Sequence, residues 1–73
     1  MKEAKIYVQN NNREWCFVVK FPAWDYKEAV EGFCQGCFKF VKHGEYDDGV
    51  FFARASLGDG RWSRQVSKYK VVF

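Results

Sequence analysis

The sequence of 73 residues contains one leucine, one histidine and no long run of apolar residues. No stretch approaches membrane-spanning length, and residues 1–5 lack the apolar region of a secretory signal. The one histidine, His43, lies at the end of a predicted helix, where its default role is to interact with the helix dipole. No serine has a plausible His–Asp relay, and no glycine-rich phosphate-binding loop is present. We therefore expect a cytoplasmic protein that is not an enzyme, does not associate with membranes and needs no cofactor.

The scarcity of leucine is matched by an abundance of aromatic residues. The chain has eight Phe, four Tyr and three Trp. Val and aromatic residues favour strands, and large rings bury enough area to build a core in a short chain. The composition predicts a single domain, residues 1–73, rich in β-structure.

Residues 25–43 are predicted to form one amphipathic helix. At about 100° per residue, their apolar side chains fall within an arc of roughly 140°. Asp25 is the predicted N-cap, with Glu28 three residues later as in a capping box. Gly44 is the predicted glycine that ends the helix. The arc contains Tyr26, Ala29, Val30, Phe33, Cys34, Cys37, Phe40 and Val41.

Four strands are predicted around this helix, over residues 5–9, 15–21, 50–57 and 61–73. The Asn-rich stretch 10–13 and the stretch 58–60 are predicted hairpin turns, and Pro22 is expected to end the second strand. Alternation places Trp15 and Phe17 on one face of that strand, and Cys16, Val18 and Lys20 on the face away from the helix. Irregular alternation in the last strand predicts a bulge near residues 65–67.

These elements follow in the order ββαββ. The predicted fold class is α+β, a two-layer sandwich in which one amphipathic helix covers one face of a four-stranded, mostly antiparallel sheet. Gly32 and Gly36 lie on one flank of the predicted helix, which indicates a close approach there by a strand, a loop or a partner chain.

Cys16, Cys34, Cys37 and His43 make a formal Cys₃His zinc set, but their predicted geometry does not favour a metal site. His43 falls roughly 180° from Cys34 around the predicted helix, and Cys16 is assigned to the opposite face of the sheet. The pair Cys34 and Cys37 also lacks the helix N-terminus that redox chemistry would need. We expect packing cysteines, no metal, and a reducing compartment, since the odd count implies no disulfide framework.

The charge is distributed unevenly along the chain. Twelve basic residues face nine acidic ones, for a net charge of +3. Glu45, Asp47 and Asp48 form a predicted acidic loop, and the chain from Arg61 onward carries no acid. The face away from the helix is predicted to carry Tyr7, Val18, Lys20, Phe52 and Arg54, with Arg64 and Lys68 as neighbours.

Two functions fit such a face, beside an ordinary half-solvated sheet. Small size, aromatic content and the lack of catalytic groups resemble small phage- or mobile-element-encoded inhibitors, including anti-CRISPR proteins, although no motif carries the resemblance. It implies a non-enzymatic protein that occupies a surface of a host protein or complex, and the anchors would follow the usual composition of interfaces. These anchors are Tyr7, Phe52, Arg54, Trp62 and Arg64.

The alternative is a nucleic-acid-binding module that stacks bases on the open sheet and holds phosphates with basic residues. A C₂ homodimer through exposed aromatic strands is also compatible with this size. The nucleic-acid-binding residues would be Lys20, Arg54, Arg61, Arg64, Lys68 and Lys70.

Overall fold

The computed structural model describes residues 1–44 and 48–73. Glu45 and Asp47 of the predicted acidic loop lie outside the described residues. The described chain forms one short helix and six strands. In chain order these are β1 (Lys2–Gln9), β2 (Trp15–Ala23), α1 (Tyr26–Phe33), β3 (Phe38–His43), β4 (Val50–Gly58), β5 (Arg61–Trp62) and β6 (Ser67–Val72).

The strands form a single antiparallel sheet with the order β2-β1-β6-β4-β3. The two-residue strand β5 pairs with the end of β4, beyond the part that β6 covers. The α+β class is confirmed, but the prediction of four strands is wrong. Two differences account for the extra strands: the second half of the predicted helix is β3, and the predicted last strand is divided into β5 and β6.

The helix begins as the sequence predicts. Asp25 is the N-cap, and its carboxylate accepts a hydrogen bond from the backbone N–H of Glu28 at 2.9 Å. The Glu28 carboxylate reaches back to the backbone N–H of Trp24 at 3.3 Å. Four apolar residues then recur at the spacing of one helix face. They are Tyr26, Ala29, Val30 and Phe33, all partly or fully buried.

The helix ends ten residues earlier than predicted, at Phe33. Gly36 adopts a left-handed backbone with φ +86°, a conformation that turns the chain out of the helix. Residues 38–43 then pair with β4, with Phe38 opposite Ala55 and Phe40 opposite Ala53. Gly44 is therefore not a helix cap, and its N–H donates to the carbonyl of Val50 at 2.7 Å.

The two glycines of the predicted helix have different roles. Gly32 lies within α1, and a Cβ there would come within 3.1 Å of the Phe21 ring. The prediction of a close approach is thus confirmed at Gly32, and the approaching element is strand β2. Gly36 supplies the turn after the helix instead.

Strand β2 contains a bulge that reverses the facing of its first half. Ile6 pairs with Val19, whereas the next residue, Tyr7, pairs with Phe17, so that Val18 is an extra residue in β2. Phe17 consequently lies on the same face of the sheet as Tyr7, and the prediction that separated them is wrong. Pro22 is retained within β2 because an edge strand needs backbone donors on one side only.

The β1–β2 turn and the β4–β5 turn are both formed by residues that favour turns. Asn10 accepts hydrogen bonds from the backbone N–H groups of Asn12 and Glu14 at 2.9 Å, which closes the β1–β2 hairpin. Asp59 and Gly60 both have positive φ, as a type I′ hairpin turn between β4 and β5 requires. Residues 63–66 separate β5 from β6, close to the predicted bulge.

Four aromatic rings form the centre of the core between the helix and the sheet. Phe33 of α1 stacks on Phe38 of β3 with ring centroids 4.2 Å apart, and Phe51 of β4 stacks on Tyr69 of β6 at 5.4 Å. The two pairs join through Phe33 and Tyr69 at 5.0 Å. Smaller side chains complete the buried set: Ala4, Ile6, Ala23, Ala29, Val30, Ala53 and Val71.

The early end of the helix can be tested by whether one substitution raises or lowers the free energy of unfolding. Gly36→Ala should destabilise the protein by about 1 kcal/mol, since alanine at a left-handed position is strained and a Cβ there would meet no atom within 4 Å. In a continuous helix the same change would stabilise by about 1 kcal/mol. Urea denaturation measures the difference. Gly36→Asn is the matched control and should cost less, because asparagine tolerates this conformation; a gain in stability for Gly36→Ala would contradict the turn.

Candidate functional site

One face of the sheet is not covered by the helix, and we call it the open face. Cross-strand register assigns its members, because residues directly opposite each other share a face and residues two apart along a strand do so too. The open face comprises Lys5 and Tyr7 of β1; Trp15, Phe17 and Lys20 of β2; Lys39 and Lys42 of β3; Val50, Phe52 and Arg54 of β4; and Lys68, Lys70 and Val72 of β6.

The open face carries most of the positive charge of the protein. Seven of the twelve basic side chains belong to it. Among the described strand residues, Glu3 is the one acid on this side, and its carboxylate lies 3.6 Å from the ammonium group of Lys20. By contrast, the helix and its cap carry Asp25, Glu28 and Glu31. The helix also carries one base, Lys27, so the modest net charge of +3 conceals a strongly basic sheet face and a mildly acidic helix.

Aromatic rings lie among these cations. Tyr7 and Phe17 form an edge-to-face pair with centroids 5.8 Å apart. The ammonium group of Lys70 lies 5.8 Å from the Trp15 ring, and that of Lys42 lies 5.1 Å from the Phe52 ring. These distances are in the range of cation–π contacts. Two of the four aromatic rings of the open face, Trp15 and Phe52, thus have a cation close to the ring.

Two shallow cavities open on this face. One, of about 180 Å³, is lined by Tyr7, Trp15, Lys70 and Val72. The other, of about 260 Å³, lies at the opposite end of the sheet, where Lys42, Lys68 and Phe52 meet His43, Gly44, Asp48 and Val50. Both cavities combine an aromatic wall with at least one ammonium group, and the larger one also contains the Asp48 carboxylate. The smaller cavity, with one cation and no acid, is the better suited to a flat group with an adjacent negative charge.

The structure brings together most of the residues that the sequence singled out. Tyr7, Lys20, Phe52, Arg54, Lys68 and Lys70 all lie on the open face. Trp62 lies opposite Ser56, on the same side of the sheet as Arg54. Arg61 lies opposite Gly58, and Arg64 lies in the segment between β5 and β6. The predicted basic C-terminal strip is thus divided, and only its lysines lie on the open face.

Five basic or aromatic residues of the open face were not predicted from the sequence. Trp15 and Phe17 were assigned to the helix side because strict alternation ignores the bulge at Val18. Lys39 and Lys42 were assigned to the polar side of a helix that ends before them. The repeated Phe-Lys-Phe alternation after Gly36 was the available signal for a strand. Lys5 is two residues before Tyr7 in the same strand, so the alternation that places Tyr7 on the open face also places Lys5 there.

The cysteines do not share one environment. Cys34 packs against the core, as predicted, and burial raises the pKa of its thiol. Cys16 and Cys37 are exposed, so the expectation that they pack as small hydrophobes is wrong. Within residues 1–44 and 48–73, no group of three His, Cys, Asp or Glu side chains is arranged to hold a metal ion.

Comparison of the chain with protein-family models, with curated proteins and with solved structures finds no match. In the part of the chain that the structure describes, no helix is long and apolar enough to cross a bilayer.

The unequal cysteines predict unequal alkylation. Cys16 and Cys37 should react quickly with iodoacetamide near neutral pH because they are exposed. Cys34 should react slowly, since burial both shields its sulfur and raises its pKa, so that less thiolate is present. Raising the pH should increase the Cys34 rate, and mass spectrometry of the modified peptides follows each site. The three rates should converge in concentrated urea; equal rates in the folded protein would contradict the described packing.

Proposed function

We propose that the protein is a non-enzymatic nucleic-acid-binding module and that the open face is its binding surface. The observation that carries this proposal is the register of the sheet, which gathers seven basic side chains around four aromatic rings with one strand acid among them. A basic surface that runs along one side of a domain is the electrostatic footprint of a phosphate backbone.

Strand β6 supplies the central cations of this surface. It lies in the middle of the sheet between β1 and β4, and Lys68 and Lys70 point to the open face opposite Phe52 and Tyr7. Both lysines are partly buried by their neighbours, so their positions are better defined than those of peripheral lysines. A ligand that crosses the sheet must pass these two ammonium groups.

Removal of the central charges should weaken binding in a salt-dependent way. The double variant Lys68→Gln with Lys70→Gln should reduce affinity for nucleic acid and lower the slope of log affinity against log salt by about 0.7 for each lost phosphate contact on a single strand. Fluorescence anisotropy with a labelled oligonucleotide at several salt concentrations measures both quantities.

Lys27→Gln is the matched control, because Lys27 is an exposed lysine on α1 in the other layer. This substitution changes the net charge without altering the open face, so the slope of log affinity against log salt should stay unchanged. A flat salt response of the unmodified protein would contradict the proposed function. An equal loss for the Lys27 variant would show that total charge, rather than the open face, controls affinity.

A second candidate is an inhibitor that occupies a surface of a host protein or complex. It is favoured by the succession of Phe52, Arg54 and Trp62 along one side of β4 and β5. Arg and aromatic residues are the usual anchors of protein interfaces. Tyr7 and Arg64 complete the predicted anchor set, and Tyr7 shares the open face with Phe52.

This candidate predicts that Arg54→Glu combined with Phe52→Ala loses a specific host protein that the unmodified protein retains after nuclease treatment. A loss of at least 2 kcal/mol, about 30-fold in affinity, is typical of such anchors. Quantitative pull-down with Trp24→Ala as the control measures the loss, since Trp24 is 60% exposed but precedes the helix. Equal retention by all three proteins would exclude this surface.

A further inference from the structure

We infer that the ligand is a single-stranded nucleic acid whose bases stack on the rings of Tyr7, Trp15 and Phe17, with its phosphates on the lysines of β6. We call these three residues the aromatic platform. This inference deepens the proposed function and rests on it. It names the strandedness of the ligand and the place where its bases are held.

The rings of the aromatic platform are accessible although they are apolar. Phe17 is 55% exposed and Trp15 is 37% exposed. Tyr7 and Phe17 meet edge to face at an interplanar angle of 73°, an arrangement that leaves both faces of one ring and one face of the other uncovered by the pair. Exposed ring faces are what a nucleobase needs for stacking, and every base can use them.

The cavity beside the platform has a lining suited to a nucleobase. Its lining by Tyr7, Trp15, Lys70 and Val72 gives it aromatic and aliphatic walls with one cation. The Lys70 ammonium group lies 5.8 Å from the Trp15 ring centroid. A base stacked in this cavity would therefore place its own phosphate close to Lys70.

The order of side chains across the sheet fits the repeat of a single strand. Tyr7 on β1, the lysines on β6 and Phe52 on β4 follow one another across adjacent strands. Tyr7 is opposite Lys70, whereas Phe52 is opposite Lys68, two residues away along β6. With neighbouring strands about 4.8 Å apart and about 3.4 Å per residue along a strand, the two aromatic positions lie roughly 12 Å apart on a diagonal, with the ammonium groups between them. This is an alternation of base, phosphate and base for a chain that runs diagonally across the strands.

A duplex does not fit the same surface. Its base faces are stacked within the helix and cannot reach the aromatic platform, and reading its major groove requires a protruding helix or ribbon. Helix α1 lies on the other side of the sheet, packed through Phe33 against the core. The exposed rings would thus contribute nothing to duplex binding, which would depend on the cations alone.

The test compares labelled oligo(dT) of about 12 nucleotides, within the usual range of single-strand sites, with a duplex that carries the same number of phosphates. Anisotropy titrations at fixed salt should show tighter binding to the single strand. Phe17→Ala should weaken single-strand binding by about 5- to 150-fold, the value of one stacked base. Trp24→Ala is the matched control, because it removes a ring of similar exposure that lies in the segment between β2 and α1 rather than in a strand of the open face, and it should bind as the unmodified protein does.

A fluorescence measurement keeps the test independent of the Phe17 substitution. In a protein with Trp24→Phe and Trp62→Phe, Trp15 is the remaining tryptophan. Addition of oligo(dT) should quench its emission as a base stacks on the ring, while the duplex should leave the emission unchanged. Quenching by the single strand alone would support the inference even if Phe17→Ala failed to fold.

The outcomes separate the inference from the proposed function. Equal binding of single strand and duplex, unaffected by Phe17→Ala but lost with Lys68→Gln and Lys70→Gln, would overturn base stacking and leave nucleic-acid binding in place. Failure to bind either nucleic acid at low salt would overturn both. Binding of a polyglutamate peptide with the affinity of oligo(dT) would also overturn base stacking, and would indicate an acidic protein surface as the ligand.

Discussion

The contact between Phe33 and the aromatic rings of the sheet holds the two layers of this protein together. Phe33 is the last residue of a helix only eight residues long, and such a helix is not stable without tertiary packing. Its ring stacks on Phe38 at 4.2 Å and meets Tyr69 at 5.0 Å and Phe51 at 5.7 Å. These three rings come from β3, β6 and β4, so one side chain joins the helix to three strands. Leucine is not needed where large rings supply the buried area.

A core built on one side of the sheet leaves the other side to be explained. Burial is concentrated between α1 and the strands, and no polar or charged residue of the described chain is buried. The uncovered side could have been neutral and polar. Instead it concentrates lysines and one arginine around exposed rings, while the acids Asp25, Glu28 and Glu31 lie with the helix. Lysine on exposed strands also discourages edge-to-edge aggregation, but the central lysines Lys68 and Lys70 are far from either sheet edge. The proposed function accounts for their position.

The error in the helix boundary has a definite physical origin. The apolar spacing of Tyr26, Ala29, Val30 and Phe33 is truly helical, and by coincidence Cys37, Phe40 and Val41 continue it at the same angular step. A pattern of side chains does not reveal that Gly36 turns the backbone to φ +86°. It also does not reveal that β4 has backbone groups free to pair along one edge, with which residues 38–43 form hydrogen bonds as a strand. Backbone groups gain hydrogen-bond partners when residues 38–43 pair with β4, and this gain outweighs the helical periodicity of residues 34–43.

The sequence by itself determined the local structure of the chain. The Asp25 cap, the Asp59-Gly60 turn, the hairpin at Asn10 and the α+β class all depend on interactions between near neighbours, which a linear pattern contains. Only the tertiary structure decided which side chains share the open face. The bulge at Val18 turned Trp15 and Phe17 towards Tyr7, and the pairing of β3 with β4 brought Lys39 and Lys42 beside Arg54 and Phe52. Register between distant strands is a property of pairs of segments, and a shift of one residue exchanges the two faces of a sheet.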